Sequence, residues 1–394
     1  MARISTRKLT FLLASFAALG PMATDMYLAA LPSITVFFDA TVAQTQLTLS
    51  VYIAGFGLAH LIYGPLSDRF GRKPILLGGL LVYALAGLGC AFAGSITQLI
   101  GLRFFQAVGG AAGPVIARAV VRDLFDLAGA ARALSYVSMV MGLAPAAAAV
   151  IGGYLTVWFD WRATFYAVSA YGLLVATAAV FLLVESLPDR DSHALRLRAM
   201  VRAFGQLFRS PVFIRNTLLG GFCYAGLFSF ISGASFVLIG VYGVPVNRFG
   251  YYFGLVIMGY VTGAFLSGRI KSEAMLGLGV LAYFAGGAAM AGLVLAGVDH
   301  FMAVVGPMVL YMIGTGIVLP RSQAWALVPF PEIAGRASAL LGFLQLTMGA
   351  LAGALVGHLL AGSALPMAGT IGLSALAALG CFFWGRDARR RVLS

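Results

Sequence analysis

The chain has 394 residues, of which 61% are hydrophobic and only 10% are charged. A soluble protein of this length would carry about a quarter charged residues, so the composition excludes an ordinary soluble enzyme. The net charge of +13 is attributed to membrane topology and attraction to anionic lipid, and nucleic-acid binding is not expected.

Apolar stretches of about 20 residues, the length that a bilayer span requires, recur along the chain. The sequence therefore predicts an all-α polytopic membrane protein with twelve transmembrane helices. The predicted spans are 8–32, 44–66, 75–95, 99–121, 131–156, 163–185, 211–238, 246–268, 274–296, 301–325, 335–360 and 364–385. The first of them is too long for the apolar region of a cleavable signal peptide.

Basic residues indicate the orientation of these spans. Of the 26 Lys and Arg residues, only Arg103, Arg162 and Arg248 lie on the outer side if the N-terminus is inside. This bias predicts that both termini are cytoplasmic, in a bacterial inner membrane. The basic loops then share the cytoplasmic side: 67–74, 122–132, 186–215, 269–273 and 386–391.

A long polar stretch divides the chain near its middle. It predicts a cytoplasmic linker at 186–210, partly an amphipathic helix on the lipid surface. Six spans lie on each side, which predicts two pseudo-symmetric six-helix bundles, 1–185 and 211–394. The segment GPLSDRFGRKP (64–74) has a degenerate echo, SGRIKSE (267–273), about 200 residues later, as expected for a transporter of two related halves.

The segment 64–74 combines glycines with both signs of charge. Glycine permits a tight turn or close helix approach, and a carboxylate is stabilised beside a helix N-terminus. Asp68 is placed to face such a terminus, and the basic residues could pair with carboxylates beyond span four. Simple positive-inside anchoring is the alternative. The residues concerned are Gly64, Asp68, Arg69, Gly71, Arg72, Lys73, Asp123 and Asp126.

Two further groups of residues lie inside spans. In span five, Pro145 predicts a kink, and glycines allow close packing, although ordinary helix packing would also explain them. Asp25 is the only acidic residue clearly inside a span, about 24 Å along the first helix, and Arg103 lies at a similar depth. We expect the two charges to pair, since neither is tolerated alone at membrane depth. The span-five glycines are Gly142, Gly152 and Gly153.

Several motifs together resemble one family. GPLSDRFGRKP, RFFQAVGGAAG (103–113) and GLAPAAAAVIGGYL (142–155) resemble the loop, span-four and span-five motifs of the major facilitator superfamily (MFS). TDMYLAALPSI (24–34), ARAVVRD (117–123) and AGRASALLGFLQ (334–345) narrow the resemblance to the bicyclomycin-resistance (Bcr/CflA) branch of drug/proton antiporters. The resemblance extends from about residue 10 to residue 380.

The resemblance implies roles for these residues. The loop motif would be a cytoplasmic latch that holds the halves together when the carrier faces outward, and the span-five motif is associated with export. Asp25 and Arg103 take the positions of the branch's acidic residue and arginine, which implies a proton switch, with a static ion pair as the alternative. Two departures stand out: Ala17 replaces a second acidic residue seen in some antiporters, and Ala149 replaces a repeated proline.

Other side chains lie on helices that line the central pathway in this fold. Aromatic residues and Met suit an adaptable pocket, but any membrane core contains them. His60 could be a secondary proton site or a neutral, hydrogen-bonded histidine, and the same alternatives apply to His358. The candidate cavity residues are Tyr27, His60, Gln106, Tyr136, Met139, Phe222, Phe228 and Gln345.

The predicted function is proton-coupled export of small amphipathic antibiotics by alternating access. The alternative is export of an endogenous metabolite such as an amino acid, sugar or siderophore, and uptake by symport is third. Enzyme and channel motifs are missing from the loops, so neither catalysis, a cofactor nor a metal site is expected. The expected partners are a small-molecule substrate, protons and membrane lipid, and the chain is expected to be a monomer.

Overall fold

The structure is a computed structural model that describes residues 6–187, 197–270, 272, 274–360 and 362–384. Within these residues, twelve helices are long and apolar enough to cross a membrane, which confirms the predicted architecture. The spans, in chain order, are Thr6–Phe37, Val42–Phe70, Arg72–Ala91, Ile96–Leu124, Arg132–Trp158, Trp161–Leu182, Pro211–Val241, Val246–Arg269, Ala274–Leu295, Met302–Leu327, Pro331–Leu359 and Leu365–Phe383.

Span one is not a continuous helix. Its first segment, Thr6–Asp25, ends at the acidic residue, and a 3₁₀ turn at Leu28–Ala30 leads into a second segment, Leu31–Phe37. Carbonyl groups in the last turn of a helix lack a partner within that helix. Asp25 therefore lies where span one leaves unpaired backbone acceptors in the middle of the protein.

The N-terminal half (spans one to six) and the C-terminal half (spans seven to twelve) repeat one packing device. A Cβ atom at Gly109 would lie 2.9 Å from the Cα of Tyr83, and one at Gly314 would lie 2.7 Å from the Cα of Tyr283. Each tyrosine hydroxyl also donates to a carbonyl of the first span of its half, at 2.9 Å and 2.7 Å respectively. These matched contacts, 200 positions apart for the tyrosines, indicate two related halves.

We call the side of the molecule that carries the 64–74 segment the motif side, and the other the opposite side. The two halves meet closely on the opposite side. The Gln46 amide of span two donates to the Ser232 carbonyl of span seven at 2.9 Å, and the Ser232 hydroxyl donates back to the Gln46 side-chain oxygen at 2.9 Å. A Cβ atom at Gly153 in span five would lie 2.9 Å from the Val246 carbonyl oxygen at the start of span eight.

The linker contains the predicted amphipathic helix, Leu197–Phe208. Part of its apolar face packs against protein, whereas Val201 and Phe208 are exposed, so the position on the lipid surface stays a prediction. Ala203 and Leu207 are both buried, and Leu207 belongs to a core cluster formed with the motif-side ends of spans seven, ten and eleven. Residues 188–196 of the linker lie outside the described residues.

Candidate functional site

The Asp25 carboxyl group is 3% exposed. Its Oδ2 accepts a hydrogen bond from the Thr24 hydroxyl at 3.2 Å, whereas its Oδ1 has no hydrogen-bond partner among the described residues. A buried carboxylate without full hydrogen bonding is costly, and a carboxylic acid at the same place costs much less. The position therefore suits a group that exists in two protonation states.

Arg103 of span four is completely buried beside the break in span one. Its Nη1 donates to the Ala23 carbonyl at 3.0 Å and to Gln106 Oε1 at 2.7 Å. The guanidinium carbon also lies 4.3 Å and 4.2 Å from the ring centroids of Tyr27 and Tyr52. The guanidinium thus occupies a cage of two aromatic rings and caps the C-terminal end of a helix, both of which stabilise a cation.

The structure differs from the predicted pairing of Asp25 with Arg103. Of the ion pairs within 4.0 Å among the described residues, none joins these two side chains. The break in the helix is the reason, because it leaves the Ala23 carbonyl free to accept from Arg103. This carbonyl and the two aromatic rings contact the guanidinium in place of the Asp25 carboxylate. Arg103 is bound to the carbonyl of Ala23, two positions before Asp25 in the chain. From there its charge can act on the Asp25 carboxyl group without direct contact.

The 64–74 segment forms a network around Arg72. The Arg72 guanidinium pairs with Asp68 at 2.5 Å and with Asp123 at 3.0 Å. The sequence analysis expected a basic residue of the segment to pair with Asp123, but it expected Asp68 to face a helix N-terminus. Asp126 has another role, since it caps the helix of span five by accepting from the backbone N–H of Gly129 at 2.9 Å. A network of this kind fixes the end of span two to the end of span four.

The side chains of two further basic residues of the segment lie outside this network. Arg69 lies over the ring of Phe70 at 5.2 Å, and Lys73 Nζ donates to the Val180 carbonyl at 2.8 Å. A Cβ atom at Gly64 would have no heavy atom of another described residue within 4 Å, so in this conformation Gly64 does not serve close helix approach.

Glu185 is a member of the network that the sequence analysis missed. It follows span six and accepts from the backbone N–H groups of Arg72 at 2.9 Å and Lys73 at 3.1 Å, at the N-terminus of span three. Burial acts to raise the pKa of Glu185, but these and neighbouring backbone N–H donors outweigh it and lower the pKa. The sequence did contain a sign of this role, because Glu185 is an acidic residue directly after a span, on the same side of the membrane as the motif.

Gly71 supplies the turn that makes this contact possible. Its φ of +104° is rarely adopted by residues with a side chain, and a Cβ atom there would lie 2.6 Å from a Glu185 carboxylate oxygen. Glycine is therefore needed at this turn for two reasons: the positive φ, and the lack of space for a side chain beside Glu185.

Two of the span-five glycines, Gly152 and Gly153, pack against backbone, whereas a Cβ atom at Gly142 would lie 3.4 Å from the side chain of Val261. A Cβ atom at Gly152 would collide with the carbonyl oxygen of Met26, the residue after Asp25, and Gly153 faces Val246 of span eight. In return, a Cβ atom at Gly250 of span eight would lie 2.5 Å from the Cα of Val150. Span five therefore touches both the peptide beside Asp25 and the opposite half of the molecule.

A cavity of about 450 Å³ lies between the halves at the motif side. Spans two and four form one wall, and the start of span eleven and the linker helix form the other. The lining residues are His60, Leu61, Gly64, Pro65, Asp68, Arg72, Val115, Arg118, Ala119, Arg122, Met200, Phe204, Ala334, Gly335, Arg336, Ser338 and Ala339.

The candidate cavity residues are distributed over several environments. His60 lines the described cavity, and its Nδ1 lies 2.9 Å from the Phe56 carbonyl oxygen. Tyr27 and Gln106 are buried around Arg103, and Gln345 is buried with a hydrogen bond from Gln323. Tyr136 and Met139 are exposed, whereas Phe222 and Phe228 are half-buried in span seven.

Comparisons with known proteins agree with this architecture. The Major Facilitator Superfamily model matches residues 13–354. The chain is 34% identical to a bicyclomycin resistance protein homolog of Haemophilus influenzae, over 90% of each chain, and 29% identical to multidrug resistance protein D of Escherichia coli, over 88% of this chain and 87% of that protein. It is 31% identical to a chloramphenicol resistance protein of Pseudomonas aeruginosa, over 86% of this chain and 81% of that protein.

Solved structures show the same fold at low sequence identity. A D-xylose–proton symporter has a TM-score of 0.74 at 15% identity, covering 96% of this chain and 97% of the symporter. An inward-facing bacterial homolog of the lysosomal transporter Spinster has a TM-score of 0.71 at 17% identity, covering 97% and 96%. The motifs, the twelve spans and these relatives together establish that the chain belongs to the major facilitator superfamily of membrane transporters, where it resembles the Bcr/CflA branch.

Proposed function

We propose that this protein is a proton-coupled exporter of small amphipathic antibiotics or related compounds, acting by alternating access in a bacterial inner membrane. The motif side faces the cytoplasm in this proposal, because the basic loops lie there. Residues 1–185 and 211–394 form the two bundles that rock against each other. The resistance proteins to which the chain is similar favour a drug as the cargo.

The observation that carries the proposal is the buried, half-satisfied carboxyl group of Asp25 beside the caged guanidinium of Arg103. Burial favours a neutral carboxyl group and a nearby cation favours a charged one. Opening of the protein on either side can therefore shift the protonation equilibrium of Asp25. A proton taken up by Asp25 on one side of the membrane and released on the other would supply the energy for export.

The packing of span five suggests how proton uptake is coupled to movement. In the present conformation the halves are closed on the opposite side, where Gly153 lies against Val246 and Gly250 lies against Val150. Within the N-terminal half, Gly152 of span five also packs against Met26. Separation of spans five and eight on that side would loosen the peptide beside Asp25 and admit protons from outside. The same movement would close the cavity on the motif side.

The loop network would act as the latch of that second conformation. In the present one, Asp68 is bound to Arg72 within its own half and also lines the cavity, across which lie Gly335 and Arg336 at the start of span eleven. Closing the cavity would bring Asp68 towards that helix start, where a carboxylate is stabilised.

The test uses proteoliposomes with an imposed pH gradient. A growth panel of a pump-deleted bacterium, including bicyclomycin and chloramphenicol, first identifies a transported drug. Asp25→Asn is expected to insert and fold but to abolish efflux driven by the gradient, because the amide cannot exchange a proton. The matched control is Asp39→Asn, which changes an exposed aspartate after the same span. Efflux at the normal rate in Asp25→Asn would refute the proton switch.

A further inference from the structure

The cavity on the motif side has an unbalanced charge. Four arginines and a single aspartate are among its lining residues. The aspartate, Asp68, is already paired with Arg72, which also holds Asp123. Among the described residues, no carboxylate lies within 4.0 Å of the guanidinium groups of Arg118 or Arg336, and Arg122 has a single contact with Asp123, at 3.9 Å. The cavity therefore presents free positive charge to whatever enters it.

Arg118 is the deepest of these cations. It lies six residues before the end of span four, about 9 Å into the helix. Its Nε donates to the Pro114 carbonyl one turn earlier at 3.1 Å, and its two Nη groups make no hydrogen bond to any described residue. The side chain is nevertheless exposed, because it points into the cavity. A guanidinium at this depth without a counter-ion is expensive, and such charges usually face a ligand pathway.

The residues around Arg118 favour a ligand that has an apolar part as well as a negative charge. Val115, Met200 and Phe204 give the cavity an apolar wall. His60 of span two lines the same cavity, as do Gly335 and Arg336 at the start of span eleven. The cavity is lined by residues of both halves, so a ligand bound there would touch the surfaces that move relative to each other during transport.

We propose that this cavity is an anion subsite of the exporter, in which the Nη groups of Arg118 bind the carboxylate of an amphipathic, singly charged substrate. The planar fork of a guanidinium matches a carboxylate bidentately, and the apolar wall accepts the rest of the molecule. That the bound anion is a transported substrate rests on the proposed export function, but binding at this site can be tested without a transport measurement.

The experiment compares two probes of nearly the same shape, the anion 2-naphthoate and the neutral amide 2-naphthamide. Binding to the purified full-length protein in phosphatidylcholine nanodiscs is measured by titration calorimetry. We expect naphthoate to bind about ten-fold more tightly than the amide, the ratio that one charge-assisted hydrogen bond provides. Arg118→Gln should remove this preference and Arg118→Lys should keep part of it. The matched control is Arg248→Gln, an exposed arginine on the opposite side, which should keep it fully.

Other outcomes would overturn the proposal. Equal binding of both probes to the normal protein, or a full preference in a folded Arg118→Gln, would refute the subsite. If Arg118→Gln does not fold, Arg336→Gln at the exposed start of span eleven should weaken the preference, and an unchanged preference would again refute it. Loss of naphthoate binding in nanodiscs that contain phosphatidylglycerol would reassign the cavity to a lipid phosphate. Asp25→Asn should leave the preference intact, which separates this test from the test of proton coupling.

Discussion

The loop after span two and its echo after span eight hold the same position in the two halves, but different chemistry fixes them. Arg72 fixes the first loop through the carboxylates of Asp68 and Asp123. In the second, Arg321 donates to backbone carbonyls of Ser267 and Ile270 and to the Ser267 hydroxyl. Carboxylates can exchange partners during a movement, whereas a set of backbone carbonyls from one turn mainly holds that turn in shape.

The interiors of the halves differ in the same way. Arg103 precedes Gly109 by six residues, and in the other half Met308 precedes Gly314 by six. Both side chains are fully buried, but one is a caged cation and the other is apolar. The shared glycine–tyrosine packing is therefore a common scaffold, on which the N-terminal half alone, among the described residues, carries buried opposite charges inside its spans. We infer that this half supplies the ionic chemistry and the other half a surface that moves against it.

The largest effect is expected from replacing the buried residues at the equivalent positions. Arg103→Ala should abolish proton-driven efflux and move the pH profile of drug binding to alkaline pH, because without a nearby cation Asp25 keeps its proton to higher pH. Met308→Ala should cost about 3 kcal/mol of stability but leave the pH profile unchanged. Drug affinity measured against pH would decide. A flat profile in Asp25→Asn together with an unmoved profile in Arg103→Ala would show that Arg103 does not act on the proton site.

A smaller effect is expected at the two loops. Asp68→Asn should lower the turnover rate more than drug affinity, since the loop controls the conformational equilibrium and does not bind the drug. Arg321→Gln should instead lower the thermal stability, by about 2 kcal/mol for the lost charge-assisted hydrogen bonds, with a near-normal rate per folded molecule. Transport rate, affinity and melting temperature would be measured for both. Parallel loss of rate and affinity in Asp68→Asn, with an unchanged conformational distribution, would contradict a latch.

The smallest effect is expected at the N-termini of spans three and nine. Glu185 accepts from the N-terminus of span three, and the hydroxyl of Ser272 accepts from the N–H of Ala274 at the start of span nine. Glu185→Gln should cost about 0.5 kcal/mol at neutral pH, as expected for a charge at a helix end.

The pH dependence of that cost distinguishes the two caps. Because the folded-state pKa of Glu185 is lowered, its stabilisation is present above the ordinary value of 4.5 and is lost as the pH falls through the lowered pKa. Ser272→Ala has no titrating group and should give a pH-independent cost. Melting temperatures of both variants between neutral and acidic pH would test this, and a pH-independent difference in Glu185→Gln would argue against its ionised carboxylate as the cap.

The sequence by itself determined the number and order of the spans, the two halves and the depth of each charge. Hydrophobicity and helical rise depend on neighbouring residues alone, so they place Asp25 and Arg103 at similar depth without any knowledge of packing. The motif residues also identified the family. The charges of the 64–74 segment predicted that its basic residues could pair with Asp123 and Asp126, and of these possible pairs the structure contains Arg72 with Asp123.

Only the tertiary structure decided which groups meet. The break of span one at Asp25 offers Arg103 a backbone carbonyl and two aromatic rings in place of the carboxylate, and the exposure of Arg118 exists only because the halves are apart on the motif side. Likewise, Glu185 reaches span three from more than a hundred residues away. Depth along a helix is a local property, but the direction a side chain faces and its neighbours across a cavity depend on how distant helices pack.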